Sequence, residues 1–364
     1  GIQPRHPRKG VAEAEIYACS SCGLCLDACP MNVQKKNLKY SSVYFIRFLR
    51  RHNEKKINDI AEKCLMCDKC HALCPVGVDA PALRRAQRAT VNNSLPYDYS
   101  YLKADCPIGS VDSASSATAP VSATEPTHSV TEPAEVTSNI QKSGEKVMYF
   151  AGCMTHLTPR IIKSVEKVFK FAGVNYIFAD RDGGICCGRP LMLAGKTDAA
   201  YETISANRRM ILSSGCRTLV LSCPICYKIF KDEYALEGVE VLHYTQFIKR
   251  LVDNGKLKPV AGDECIVYHD PCELGRGCGV YKEPREVLGK VCTLVKAAKE
   301  GDESICCGGS LGSLTLEARD RAKITESSVG NLLANNPQTI VTACPLCLKT
   351  FSESVPDTVQ VKDF

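Results

Sequence analysis

Two hydrophobic rhythms divide this chain. In its first third, "SSVYFIRFLRRH" (41–52) and "NEKKINDIAEKC" (53–64) place apolar residues at helical spacing and predict two helices. From residue 146 onward, short apolar runs alternate with helical patterns. "KVMYF" predicts a strand, and "TPRIIKSVEKVFKFAG" a helix closed by a glycine. "VNYIFA" (strand), "TDAAYETISANRRMILSSG" (helix), "TLVLS" (strand) and "PICYKIFKDEY" (helix, Pro at its first position) follow in turn. Such alternation predicts a parallel-sheet α/β fold.

Between the two rhythms, residues 106–144 are dominated by Ser, Thr, Ala, Pro and Val and have no apolar period. They read as a linker whose free r.m.s. span would be about 35 Å. The expected division is therefore 1–105, a linker at 106–144, and a C-terminal region that itself splits into 145–260 and 261–364. That split comes from an internal repeat. "VLSCPICYKIF" recurs as "VTACPLCLKTF", "MYFAGC" corresponds to "VYHDPC", and "VEVLHY" corresponds to the final "VQVKDF". The second copy has no equivalent of the helix "TQFIKRLVDNG". This suggests a shortened chain or a face covered by a partner.

Cysteine changes the picture most. The chain holds 23, far more than an ordinary soluble protein. The basic, Pro-rich start is not expected to be a secretory signal, and the missing initiator Met suggests a processed or trimmed chain. A secreted disulfide scaffold is therefore disfavoured against thiolates bound to metal in a reducing compartment. "CSSCGLCLDACP" (Cys19, Cys22, Cys25, Cys29) and "CLMCDKCHALCP" (Cys64, Cys67, Cys70, Cys74) both read C-x2-C-x2-C-x3-C-P. This is the ferredoxin-type run, whose fourth cysteine ligates the other cluster of a pair. It assigns Cys19, Cys22, Cys25 and Cys74 to one cubane [4Fe–4S] cluster. Cys64, Cys67, Cys70 and Cys29 fall to a second. His71 reads as a neighbour of the second cluster and not as a ligand.

The repeat carries a second pattern. Cys153, Cys186-Cys187, Cys223 and Cys226 in the first copy match Cys272, Cys306-Cys307, Cys344 and Cys347 in the second, at offsets of 119 to 121. Cys153 and Cys223 follow predicted strands closely, and Cys186-Cys187 lies after "VNYIFA". Open α/β sheets gather ligands at the carboxyl ends of their strands, so five thiols per copy should converge on one edge. Gly183, Gly184, Gly188, Gly308 and Gly309 flank the paired cysteines, either as tight turns or for close backbone approach.

The N-terminal part resembles the all-helical ferredoxin module of respiratory and heterodisulfide reductase iron–sulfur subunits. The repeated part resembles the cysteine-rich CCG domain of the heterodisulfide reductase catalytic subunit. The order of the two is similar to that of the fused subunit of membrane-linked heterodisulfide reductase. Glycolate oxidase and anaerobic glycerol-3-phosphate dehydrogenase iron–sulfur subunits share much of this layout. The resemblance implies two Rossmann-like CCG halves in a pseudo-two-fold relation. It also implies a noncubane [4Fe–4S] cluster in each half, held by five cysteines, some of which bridge irons. In such enzymes the paired clusters flank a substrate disulfide and cleave it.

Charge adds one refinement. Residues 1–105 carry 17 Lys and Arg against 10 Asp and Glu, and the remainder 29 against 30. The excess in the first third reads either as compensation for thiolate clusters or as a docking surface for an acidic redox partner. No nucleic-acid motif accompanies it, so nucleic acid is not an expected ligand. No apolar run is long enough to span a membrane; a cytoplasmic location is expected, peripheral to the membrane face where a partner allows it.

The leading functional expectation is a heterodisulfide reductase-like oxidoreductase subunit acting on a small disulfide or thiol. The alternative is a relay from a flavin-dependent dehydrogenase (of glycolate, lactate or glycerol-3-phosphate type) to quinone. A thiol-buffering protein is a remote third. No dinucleotide fingerprint is present, since "GICCGRPLMLAG" does not follow the glycine pattern, so FAD is expected only on a partner. Electron transfer between the modules would need the linker wrapped along the surface. Cys106, Cys216, Cys265, Cys278 and Cys292 fall outside the motifs and read as buried hydrophobes. His156 and His269 stand near the first ligands as hydrogen-bonding groups or proton donors. Lys228 and Lys349 occupy matching places after the CPxC motifs, as charge balance for the clusters.

Overall fold

The structure, a computed structural model, describes residues 9–94, 146–309, 311–313 and 315–364. The expected linker, its path and Cys106 lie outside these residues. In the N-terminal module, helices Ser42–Arg50, Glu54–Glu62 and Ala80–Asn92 enclose Phe45, Ile46, Ile57, Ile60, Ala61, Val78 and Leu83. Asn53 opens the second of these helices by accepting from the Lys56 N–H (3.3 Å), and Asp79 opens the third by accepting from Ala82 N–H (2.8 Å).

The C-terminal region contains two four-stranded, all-parallel sheets. β1 (Val147–Phe150), β2 (Tyr176–Phe178), β3 (Thr218–Leu221) and β4 (Glu240–His243) lie in the order β2-β1-β3-β4. β5 (Cys265–His269), β6 (Thr293–Val295), β7 (Thr339–Thr342) and β8 (Gln360–Asp363) repeat it as β6-β5-β7-β8. Val147 pairs with Thr218 across β1 and β3, as Ile266 does with Thr339 across β5 and β7. β1, β3 and β7 are buried along their whole length, and β5 beyond its first residue, as their apolar runs require in a sheet covered on both faces. Helix Pro159–Phe171 shows the local logic. Pro159 starts it, Ile161, Val165 and Phe169 bury one face, and Gly173 ends it at φ +63°.

All three parts pack together. Helix Pro30–Lys35 lies on helix Ala318–Leu332 of the second half, with a Lys35–Asp320 ion pair between them. Helix Ala80–Asn92 lies on helix Arg189–Ala194 of the first half. A side chain at Gly195 would meet the backbone of Arg88 at 2.5 Å, so this contact admits only glycine. Among the described residues, no helix is long and apolar enough to cross a membrane.

Candidate iron–sulfur sites

The two ferredoxin-type motifs fold alike. Ser21 and Met66 hold positive φ (59° and 55°), as do Gly23 (87°) and Asp68 (56°), at the same steps of each motif. Left-handed conformations at non-glycine residues cost free energy and persist only where the surroundings demand them. Here they turn each loop between successive cysteines. One cavity is lined by Cys19, Cys22, Cys25, Cys70 and Cys74. Another is lined by Cys29, Cys64, Cys67 and Cys70. Cys29 thus lies with the second motif and Cys74 with the first, while Cys70 borders both cavities.

Backbone N–H groups point at these sulfurs, Met66 N–H to Cys64 Sγ (3.4 Å) and Val78 N–H to Cys74 Sγ (3.3 Å). Hydrogen bonds of this kind tune iron–sulfur centres. Burial pushes the Cys29 thiol up to about 12 and the Cys67 thiol up to about 11, so both ionise readily only against a metal. Arg84 is fully buried beside them. It lines the second cavity, donates to Tyr40 O (3.1 Å), and Cys64, Cys29 and Cys70 raise its proton affinity against the cost of its burial. His71 is exposed on helix Lys69–Ala72.

The paired-cysteine sites lie at the carboxyl ends of the central strands. Cys223 and Cys344 each sit two residues beyond their strand and precede a helix begun by proline (Pro224–Asp232 and Pro345–Ser352). In the second half, sulfur contacts run from Cys272 through Cys306, Cys307 and Cys347 to Cys344, with Cys307 and Cys347 at 3.3 Å. In the first half, Cys187, Cys226 and Cys223 form such a run. Cys153 lies against Gly184, where a Cβ would fall 2.5 Å from the Cys153 Cα. Gly152, its neighbour, lies against the Cys226 sulfur. Gly188 and Gly308 both take φ near +85°, bending the chain just after each pair (+82° and +85°). Gly188 N–H then points at Cys186 Sγ and Gly309 N–H at Cys307 Sγ, both at 3.4 Å. Among the described residues, no group of three His, Cys, Asp or Glu is set out for a single metal ion. The extended sulfur runs, with N–H groups directed at them, fit a ligand set for a multi-iron cluster.

The supports differ between halves. Tyr234 Oη and Asn207 hold the Cys187 and Cys186 carbonyls, at 3.0 and 2.9 Å. In the second half, Thr325 Oγ1 holds the Cys307 carbonyl (2.8 Å) and Ser328 the Ile305 carbonyl (3.1 Å). Asp180 accepts from Ala151 and Gly152 N–H (2.9 and 2.8 Å) and lies 3.3 Å from His156 Nε2, so His156 serves the Cys153 turn. His269 is buried against Phe351, and burial lowers it to about 4. That shift favours the neutral imidazole, which keeps one ring N–H for hydrogen bonding.

Two sequence expectations need correction. Cys216 is buried, but Cys265, Cys278 and Cys292 are only partly so, because they lie at strand ends and on the short helix Gly275–Cys278. Lys228 and Lys349 are not equivalent: Lys228 donates to Gly277 O (3.0 Å) and pairs with Asp232 (3.1 Å), while Lys349 is exposed. The difference is local: Gly277 of the second half lies beside Lys228, whereas Lys349 faces solvent.

Thiols of the second half adjoin the ferredoxin-type motifs. Met31, Leu65, Cys306 and Ile324 form one apolar cluster on which Cys29, Cys67 and Cys272 pack. Lys69 Nζ donates to Glu303 O (2.7 Å). Arg88, 1% exposed, donates to the carbonyls of Ala61, Cys64, Leu193 and Gly312, tying the module to both halves. The cations Arg84, Arg88 and Arg276 escaped the sequence reading, which followed cysteine spacing. For Arg276 a signal existed, an arginine in one copy where the other has leucine.

Comparison with known proteins places these features in families. Residues 15–78 match the 4Fe-4S dicluster domain, and residues 147–231 and 266–352 each match the cysteine-rich (CCG) domain. One of the subunits of fumarate reductase (CoM/CoB) from Methanothermobacter marburgensis is 26% identical over 98% of this chain and 71% of its own length. EtfAB:quinone oxidoreductase of Syntrophomonas wolfei is 31% identical over 61% of the chain. One of the subunits of dihydromethanophenazine:CoB–CoM heterodisulfide reductase from Methanosarcina acetivorans is 28% identical over 60%. The chain spans only 33% and 56% of the last two proteins.

Proposed function

From the premise that this chain belongs to the heterodisulfide reductase-like iron–sulfur proteins, joining a 4Fe-4S dicluster domain to duplicated cysteine-rich domains, we propose that it reduces a small disulfide as one subunit of a larger oxidoreductase. Cys19, Cys22, Cys25 and Cys74 would hold one cubane cluster, and Cys29, Cys64, Cys67 and Cys70 the other. Each five-cysteine set would hold a noncubane cluster: Cys153, Cys186, Cys187, Cys223 and Cys226 in one half, Cys272, Cys306, Cys307, Cys344 and Cys347 in the other. The matching strand orders support reading the halves as Rossmann-like and related by a pseudo-two-fold, with boundaries at 145–260 and 261–364.

One observation carries the proposal. Pro224 and Ile225, from the CPxC turn of the first half, line the same cavity as all five thiols of the second. A disulfide at the mouth of that cavity would lie beside the CPxC turn of the first half as well as the second-half thiols. Its reduction consumes two electrons and two protons and yields two thiols. When bound, the clusters supply the one-electron steps. The chain's own part is to hold the substrate between matched sites, with Leu193, Leu311 and Leu346 as apolar walls that exclude water. Electrons would come from a flavin-containing partner in the cytoplasm, with a membrane subunit as a further partner.

A relay role linking a flavin-dependent dehydrogenase to quinone is the second reading, favoured by the likeness to EtfAB:quinone oxidoreductase. Electron paramagnetic resonance of the oxidised protein, with and without 2-mercaptoethanesulfonate, separates the two. A signal that depends on the thiol supports disulfide chemistry. Its absence, together with reduction by a flavin dehydrogenase, supports the relay.

A further inference from the structure

Arg276 stands in the gap between two of these thiol sets. Its Nε donates to Cys67 O at 2.8 Å, on the ferredoxin-type side. Its Nη1 donates to Ser304 O and Oγ (both 2.9 Å) and to Asp302 O (3.1 Å), in the loop that leads into Cys306-Cys307. Its own loop begins at Cys272. Burial works against its charge, but Cys67, Cys272 and Cys306 more than offset that and keep it cationic. Its Nη2 is buried with no hydrogen-bond partner among the described residues. At the matching place of the first half, one repeat offset earlier, stands Leu157, 43% exposed. At this position the cation therefore occurs in the half whose Cys272 and Cys306 pack with Cys29 and Cys67 of the ferredoxin-type motifs.

We propose that Arg276 is a positioning residue for electron transfer, a fixed positive charge shared by the Cys29/Cys64/Cys67/Cys70 centre and the second-half centre, which makes that half the point where electrons cross between modules. The inference rests on the cluster assignment above and not on the identity of the substrate. In the step, one electron leaves one centre and arrives at the other. The first is oxidised by one electron and the second reduced by one, and no proton moves. A positive charge beside both favours their reduced forms, because each reduction adds negative charge in a low-dielectric site. The guanidinium fork also fixes the Cys67 loop against the Ser304 loop, which a point charge does less well.

The test uses the full, cluster-loaded protein and needs no disulfide, so its failure is separate from failure of the disulfide reading. Redox titrations followed by electron paramagnetic resonance would be run on wild type, Arg276→Gln and Arg276→Lys. Hydrogen exchange at residues 64–70 and 302–306 would be followed in parallel. Arg276→Gln should lower the potentials of the two adjoining centres and leave the Cys19/Cys22/Cys25/Cys74 centre and the first-half centre unmoved. Electron passage between modules should slow roughly tenfold. Arg276→Lys should keep both potentials near wild type while exchange in the two loops rises. Unmoved potentials in Arg276→Gln, equal shifts in every centre, or a lysine variant whose potentials fall as far as the glutamine variant's would each overturn the proposal. If the glutamine variant fails to assemble, the lysine result decides alone.

Discussion

Arg189 Nη2 donates to both carboxylate oxygens of Glu273, at 3.2 and 3.0 Å, across the boundary between the two halves. Each partner adjoins a thiol motif, Arg189 two residues after Cys187 and Glu273 directly after Cys272. Both side chains are almost wholly buried. Burial pushes the Glu273 carboxyl up while Arg189 pulls it back, so the pair is costly to keep and costlier to break. Glu273→Met or Arg189→Met should therefore destabilise the protein by about 3–5 kcal/mol, the range for orphaning a buried charge. The double variant Arg189→Met/Glu273→Met should recover much of that loss. Anaerobic denaturation of all four proteins, read as a double-mutant cycle, checks it; additive losses would refute the coupling.

Gly184 and Gly173 separate site geometry from general strain. Gly184→Ala puts a Cβ onto the Cys153 backbone and should cost the protein its first-half cluster, seen as lost iron and a lost spectroscopic signal. Gly173→Ala has open space but a φ of +63°, and should cost only about 1–2 kcal/mol with iron content intact. Equal iron content in the two variants would count against the Gly184 argument.

Crossed ligation gives a third expectation. Cys74→Ser should abolish the centre of the first ferredoxin-type motif, although Cys74 belongs to the second. Cys29→Ser should abolish the centre of the second. Resonance spectra of the two reduced variants should show opposite signals missing. If each serine instead silenced the centre of its own motif, the cavity assignment would be wrong.

Asp363 governs a pH effect. Its carboxyl is buried, accepts from Tyr244 Oη (2.9 Å), and burial pushes it up to about 7. Because the folded value lies above the unfolded one, the folded state holds this proton more tightly. The associated stability is full below about pH 4 and is lost as pH rises through 7. Stability measured from about pH 5 to 7 should fall in wild type and level off above that, and Asp363→Asn should flatten that slope. A slope unchanged in the variant would assign it to another group.

Much of this protein was legible in the residues alone. The runs "KVMYF" and "TLVLS" became β1 and β3, because short apolar runs between helical patterns suit the buried centre of a parallel sheet. The C-x2-C-x2-C spacing and the repeated cysteine pairs likewise pointed to iron–sulfur chemistry, since thiol spacing is a local property. What the spacing could not carry was the asymmetry between the copies. Nearly equivalent cysteine sets gave no reason to place one against the ferredoxin-type module and the other away from it. That was decided by contacts between residues distant in the chain: Arg276 with Cys67, Arg88 with Leu193 and Gly312, and Lys69 with Glu303. Each is a cation bonded to backbone carbonyls. A carbonyl is present at every residue, so no sequence pattern marks the one that will receive the bond.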